Sequence, residues 1–264
     1  MAWDLSSIPP VLREALAEKS VNLPIFPAPS SSLPTVWACS DFVADACLRD
    51  ERLLPWLFAE GRLHEDISEE SLNADLDSRR DPAGDEAHFM DELRRFRRRQ
   101  LVRIAWRDIA GHAGVETILA ELSLLADVCI RAACRRARDG LAARHGMPRG
   151  RDGTPLELMV LGMGKLGGGE LNFSSDIDLV FLFPEHGETD GPRPLEHEEY
   201  FARWGRKVAQ LLGTVTAEGF VYRVDLRLRP FGESGPQVVS FDAFEDYLQQ
   251  HGRDWERYAY VKAR

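Results

Sequence analysis

Two aspartates one residue apart open an apolar run, Asp176-Ile-Asp178-Leu-Val-Phe-Leu-Phe183. Their type and spacing point most directly to chemistry. In an extended strand residues i and i+2 share a face, so both carboxylates point the same way. Like charges that close repel, and each holds its proton more tightly unless a cation lies between them. Carboxylate oxygens with retained waters suit Mg²⁺. The bland alternative is a solvated acidic turn before a buried strand. Upstream stands a glycine-rich turn, Gly162-Met-Gly164-Lys165-Leu-Gly167-Gly168-Gly169. Without a Cβ, its backbone N–H groups can approach phosphate oxygens closely. The turn matches GxGxxG, but a dinucleotide-binding site also needs a helix directly after the glycines and an acid ~20 residues on, at the end of the next strand. Here three successive glycines break that helix, and only eight residues separate Gly167 from Asp176, which opens its strand. No Gly-Lys-Ser/Thr follows a glycine in the Walker A pattern.

A third carboxylate, Asp225, lies in Gly219–Arg229 (GFVYRVDLRLR). That segment alternates Val221, Arg223, Asp225, Arg227 and Arg229 with Tyr222, Val224, Leu226 and Leu228, which predicts a half-buried strand with one charged face. Arg223, Arg227 and Arg229 would then flank Asp225 with bidentate forks for a phosphate, or pair with local acids. Lys165 is a phosphate contact or a solvated lysine, and Ser174 and Ser175 offer hydroxyls just before the acid pair. A glycine turn, an Asp-x-Asp entering an apolar strand and a carboxylate on a later strand together resemble nucleotidyltransferases of the polymerase-β type. Three such carboxylates on adjacent strands can hold two Mg²⁺ ions that clamp the attacking and leaving oxygens of a phosphoryl displacement. Asp176, Asp178 and Asp225 are the expected metal ligands and catalytic residues. Gly164, Lys165, Ser174, Ser175, Arg227 and Arg229 are the expected phosphate and nucleotide contacts.

Longer strings carry a closer resemblance. LGMGKLGGGELNFSSDIDLVF, GFVYRVDLRLRPFGESGP and GRDWERYAYVKAR resemble the N-terminal half of bacterial bifunctional glutamine synthetase adenylyltransferase/adenylyl-removing enzymes, and SDFVADACLRD and ELRRFRRRQLVRIAW resemble the helical region before it. The resemblance implies a domain that removes AMP from a tyrosine of glutamine synthetase by phosphorolysis and releases ADP. It also implies a PII-type signal protein acting through the full-length enzyme. Adenylyl transfer from ATP to a protein tyrosine, or a non-catalytic fragment that docks glutamine synthetase or the signal protein, are the alternatives.

The elements that would position these residues follow from patterning. Six of the fifteen prolines fall in the first 34 residues, so residues 1–36 read as an extended lead-in with a short helix near Val11–Glu18. A helical region, 37–148, contains a helix capped by Ser40 or Asp41 and two long helices, Glu86–Ala110 and Val115–Arg144, expected to pack antiparallel. The glycines and prolines of 145–154 mark a linker. A catalytic region, 149–264, follows, with strands at Leu156–Leu161 and Asp176–Phe183 and helices at Glu196–Leu212, Phe241–Gln250 and Asp254–Ala263. The expected class is α+β, with a helical region and then a small mixed sheet flanked by helices. The last pattern runs uncapped to Arg264, as in a piece of a longer chain.

Composition narrows the classes. Lys and Arg total 33 against 43 Asp and Glu, a net charge of −10 that argues against broad nucleic-acid binding. The run Arg94, Arg95, Arg97, Arg98 and Arg99 wraps around its helix and reads as a solvated or acid-paired surface. Seven dispersed histidines have no zinc spacing. Four cysteines without a CxxC pair are expected to be reduced and buried in a cytoplasmic protein. No apolar run approaches the ~20 residues of a membrane span. Trp37, Trp56, Trp106, Trp204 and Trp255 are expected core anchors, and Phe231-Gly-Glu-Ser-Gly-Pro236 reads as a turn after the Asp225 strand, either bordering the nucleotide site or a turn alone, which accounts for its glycines and proline.

Overall fold

The computed structural model describes residues 31–264 apart from 60, 80, 82–83 and 174–175. The expected helix near Val11–Glu18 therefore lies outside the described residues. Among the described residues six helices come first: α1 (Leu33–Cys39), α2 (Asp41–Arg49), α3 (Leu53–Phe58), α4 (Glu69–Asp77), α5 (Glu86–Ile109) and α6 (Val115–His145). The lead-in expected to extend to residue 36 turns helical at Leu33, with Pro34 in the first turn, because Leu33 and Val36 are buried against Trp106 and its neighbours. Ser40 caps α2 by accepting the Val43 N–H, and Asp85 caps α5 by accepting that of His88. Residues 110–114 return α6 along α5, as the short connection predicted.

Four strands follow: β1 (Met159–Gly162), β2 (Asp176–Phe183), β3 (Arg223–Asp225) and β4 (Val238–Ser240). Between them lie a single helical turn, α7 (Gly164–Gly167), and the long helix α8 (His197–Gly213). Two helices, α9 (Phe241–Gln250) and α10 (Asp254–Ala259), come last. β1 pairs antiparallel with β2, whereas β3 and β4 pair parallel with β2 in series along its other edge. The α+β class is as expected. An antiparallel β1–β2 pair is also incompatible with the βαβ crossover of a dinucleotide-binding turn.

β2 is the central strand because five consecutive apolar residues, Leu179–Phe183, are buried on both faces. Ile177, Leu179, Phe181 and Phe183 enter a large core with Tyr200, Phe201 and Trp204 of α8 and with residues of α5 and α6, so the expected 37–148 and 149–264 regions share this core. Val180 and Leu182 face the other way, into a smaller cluster with Met163, Val239, Leu228, Phe244 and Tyr260. Asp176 and Asp178 stand on this second face, beyond the part that α9 and the C-terminal segment cover.

Several local expectations are corrected. β1 starts at Met159, not Leu156, because Leu156 donates its N–H to Pro148 O (2.9 Å) and Arg149 bridges Pro155. The last helical segment ends as α at Ala259 and as 3₁₀ at Lys262. There Gly162 and Arg264 exchange backbone bonds of 2.8 and 3.1 Å, adding an extended residue beside the end of β1. Cys39 is exposed, while burial pushes the thiols of Cys47, Cys129 and Cys134 up to about 12. Trp37, Trp106 and Trp204 are buried and Trp56 is half-buried, but Trp255 is exposed, because its element packs inward through Ala259 and Tyr260.

The arginine run is acid-paired at Arg95 and Arg98, both on Glu218, and at Arg99 on Asp75. Arg94 departs from that expectation and is buried. Its Nε donates to Gly219 O (2.8 Å), Nη1 to Met90 O (2.7 Å), and Nη2 to Leu211 O (3.3 Å) and Thr214 O. A buried guanidinium is favoured here because carbonyls at the end of α8 would otherwise lack donors. Arg94→Leu is therefore expected to lower the unfolding free energy by about 2–4 kcal/mol in urea titrations. A loss below about 0.5 kcal/mol would mean that water replaces the guanidinium at no cost.

Candidate active site

Parallel pairing decides which acids meet. The β2–β3 register sets Asp178 opposite Asp225 and Asp176 opposite Arg223. Paired residues on neighbouring strands share a face, so three carboxylates and one guanidinium lie on the open part of the second face. Arg223 binds Asp176 through Nε. Arg227 forks onto Asp225 through Nε and Nη2, and its backbone N–H adds a bond of 2.8 Å to Asp225 Oδ1. The Arg227 fork holds the Asp225 carboxyl below the ordinary carboxylate range. Asp178 shifts the opposite way: burial raises it first, and the neighbouring charges of Asp225 and Asp176 add to that, against the opposing pull of Arg227.

The glycine turn is locked to this pair. Met163 donates its N–H to Asp178 O (2.9 Å), which brings α7 down beside the carboxylate. Gly164 is left-handed (φ +55°), and a Cβ there would sit 3.4 Å from Asp178 Oδ2. At Gly167 a Cβ would run into the carbonyl oxygens of Gly162 and Lys262, so the turn tolerates no side chain at its closing residue. Lys165 is exposed on the same turn. Ser174 and Ser175 lie outside the described residues.

The long charged strand face predicted for Gly219–Arg229 is not formed. Val221 and Tyr222 both donate their N–H groups to Leu212 O at the end of α8 (2.9 and 3.2 Å), and the ladder then lasts only from Arg223 to Asp225. Past Asp225 the chain turns. Arg227 reaches the acids by folding back, whereas Arg229 points into the loop and donates to the carbonyls of Leu226 (2.7 Å), Gly235 and Glu233 (both 3.3 Å). Sequence reasoning also missed the backbone link from Met163 to Asp178 and the left-handed Phe231 at φ +60°. Glycines and prolines in RPFGESGP signal a turn, but nothing in them tells that its left-handed start is a phenylalanine.

Among the described residues, no three carboxylate, imidazole or thiolate groups converge on one point, since arginines engage Asp176 and Asp225. The donors nevertheless fit a divalent cation in type and in face. They are hard oxygens, and Asp178, raised first by burial and then by the charges of Asp225 and Asp176, lies among them.

Comparison with known proteins places the chain in a family. The family model described as glutamate-ammonia ligase adenylyltransferase matches residues 30–264. Among similar curated proteins, the bifunctional glutamine synthetase adenylyltransferase/adenylyl-removing enzyme of Thioalkalivibrio sulfidiphilus is 48% identical over 233 residues, 88% of this chain and 24% of that protein. The protein of the same name from Shewanella loihica is 48% identical over 253 residues, 96% of this chain and 26% of its own. That from Pseudomonas aeruginosa is 48% identical over 231 residues, 87% and 24% respectively. The chain thus spans about a quarter of the length of these relatives.

The electrostatics make a prediction for the metal-free chain. Because folding raises the Asp178 carboxyl, its ionisation opposes folding. Its contribution is favourable at low pH and is lost as pH rises from the ordinary carboxylate range (~3.9) through the raised folded value. Asp178→Asn is expected to melt a few degrees higher than the parent at pH 7 in chelator, with the gap closing toward pH 4. Scanning calorimetry across pH measures this, and an equal or lower melting temperature at pH 7 would count against it.

Proposed function

The chain belongs to the glutamate-ammonia ligase adenylyltransferase family, and from that premise we propose that its carboxylate face removes AMP from adenylylated glutamine synthetase. The single observation that carries this reading is the parallel β2–β3 pairing, which puts Asp178 against Asp225 with Asp176 two residues away on the same face. A polymerase-β-like nucleotidyltransferase arrangement accounts for that pairing and for the glycine turn bonded to Asp178. In this reading the substrate is the AMP ester of a glutamine synthetase tyrosine and the co-substrate is inorganic phosphate, in the cytoplasm. A PII-type signal protein acts through the longer enzyme. The −10 net charge supports a protein substrate rather than nucleic acid, and no described helix is long and apolar enough to cross a membrane.

An oxygen of phosphate attacks the phosphorus of the tyrosyl ester. The new P–O bond makes ADP, the bond from phosphorus to the tyrosine oxygen breaks, and the released phenolate takes a proton from solvent. Phosphate is already ionised at neutral pH, so the protein mainly orients reactants and neutralises charge. Asp176, Asp178 and Asp225 would hold Mg²⁺, which when bound offsets the negative charge of the transferring phosphoryl group. Arg223 and Arg227 sit on the same face as those acids, where a guanidinium fork matches phosphate oxygens. The left-handed Gly164 and its neighbours leave room for a phosphate beside Asp178, with Lys165 at the edge.

The names of the relatives join adenylyl transfer and adenylyl removal, so the direction needs its own measurement. Incubating the chain with adenylylated glutamine synthetase, Mg²⁺ and phosphate is expected to release ADP, read by chromatography. Asp176→Asn and Asp178→Asn should slow that release at least about 100-fold, and Arg227→Gln about tenfold. Label passing from ATP to the synthetase without phosphate-dependent ADP would reverse the assignment. Wild-type turnover in Asp176→Asn would remove it from the metal site.

A further inference from the structure

The loop that joins β3 to β4 leaves and rejoins one edge of the same strand. β3 ends with Asp225 opposite Asp178, and β4 begins with Val238 opposite Phe181, three residues further along β2, about 10 Å. Residues 226–237 therefore form a compact excursion whose two ends are close, a type of loop held by its own side chains and often functional. Leu228 packs with Val180 and Leu182, and its carbonyl accepts the Tyr260 hydroxyl (2.7 Å). The three Arg229 bonds to Leu226, Glu233 and Gly235 tie the two limbs together. Val180 and Leu182 share the face of Asp176 and Asp178, so the loop is anchored over the carboxylate side of the sheet.

Its tip is Phe231, the one described non-glycine residue with positive φ. The ring lies 4.7 Å from that of Tyr247, nearly edge-on, and 5.6 Å from that of His251, yet the residue is 55% exposed. Glycine or asparagine would adopt this backbone with less strain. A left-handed backbone here presents a large apolar ring, braced on one side by Tyr247 and His251 and open to water on the other, in the loop that starts from Asp225 and Arg227. Such strain collects at ligand sites.

We propose that Phe231, supported by Tyr247 and His251, is the platform on which the adenine of the tyrosine-linked AMP stacks. This rests on the deadenylylation reading above and assigns the base-recognising residue of that site. The phosphate end of the nucleotide lies at the carboxylates and Arg227, and the flat, uncharged end meets the flat ring four residues further along the same loop. Stacking on an aromatic face needs no hydrogen bond to the base. Tyr247 and His251 set the plane of the ring before the nucleotide arrives, so little rotamer freedom is lost on binding.

The test compares ADP with ribose 5-phosphate, which lacks the base, by calorimetry on the full chain in Mg²⁺. Phe231→Asn, which accepts positive φ, is expected to weaken ADP about tenfold and to leave ribose 5-phosphate within twofold. Phe231→Tyr should keep both affinities. Unchanged ADP binding in Phe231→Asn, or equal weakening of both ligands, overturns the platform. Should Phe231→Asn fail to fold, Phe231→Leu against Phe231→Tyr carries the same comparison. A parent chain that releases ADP from adenylylated glutamine synthetase while Phe231→Asn keeps its KM overturns the platform alone. A parent chain that neither binds ADP nor releases it overturns the deadenylylation reading and the platform with it.

Discussion

Three carboxylates on one face of a small sheet repel one another, and what holds them there is the burial of the rest of β2. Leu179–Phe183 are enclosed on both faces, and a register slip of one residue would exchange the core residues with the acids. The cost of keeping Asp176, Asp178 and Asp225 together is thus met by apolar burial a few residues downstream. The opposing shifts of Asp178, raised, and Asp225, lowered, express the same constraint. Arg227 forks onto Asp225 and lowers it, whereas Asp178 is raised by its burial first and by the neighbouring acids second.

The position of Asp225 depends in turn on contacts far from it in sequence. Arg94 of α5 gathers the carbonyls of Leu211, Thr214 and Gly219, and so fixes the turn after α8. Leu212 O then receives two backbone N–H groups, from Val221 and Tyr222, which sets where β3 begins. Further along α5, Arg107 and Arg103 bind the carbonyls of Leu63, Glu65 and Arg62. One helix therefore uses buried guanidinium groups as many-armed donors for irregular backbone on two sides. The helical part of the chain is mechanically part of the site.

These dependencies explain what was legible in the sequence. Asp176 and Asp178, the buried half of β2, and the starts of α5 and α6 could be read directly, because alternation, apolar runs and capping signals act over a few residues. β3 could not. Alternation from Val221 to Arg229 satisfies the strand pattern, but the carbonyl of Leu212 claims the first residues and the Asp225–Arg227 turn ends the last. Arg94 was hidden because a buried arginine is betrayed only by the carbonyls it meets, all but Met90 more than a hundred residues away. Arg229 reads from sequence as a second phosphate fork, and its short-range bonds to the loop carbonyls emerge only once the turn exists.

The same arithmetic of charge connects the loop to the acids. Arg223 binds Asp176 through one exposed pair, worth little, whereas Arg227 holds Asp225 with a fork whose guanidinium side faces solvent. In the proposed reading, both guanidinium groups stand at the solvent side of their acids, where a phosphate could compete for them. Arg229, with its donors spent on backbone carbonyls, has the opposite property and keeps the loop's shape whatever its neighbour does. Arg229 braces the loop and Arg223 and Arg227 brace two of the acids, each arrangement set by how many of its hydrogen bonds the fold has already claimed.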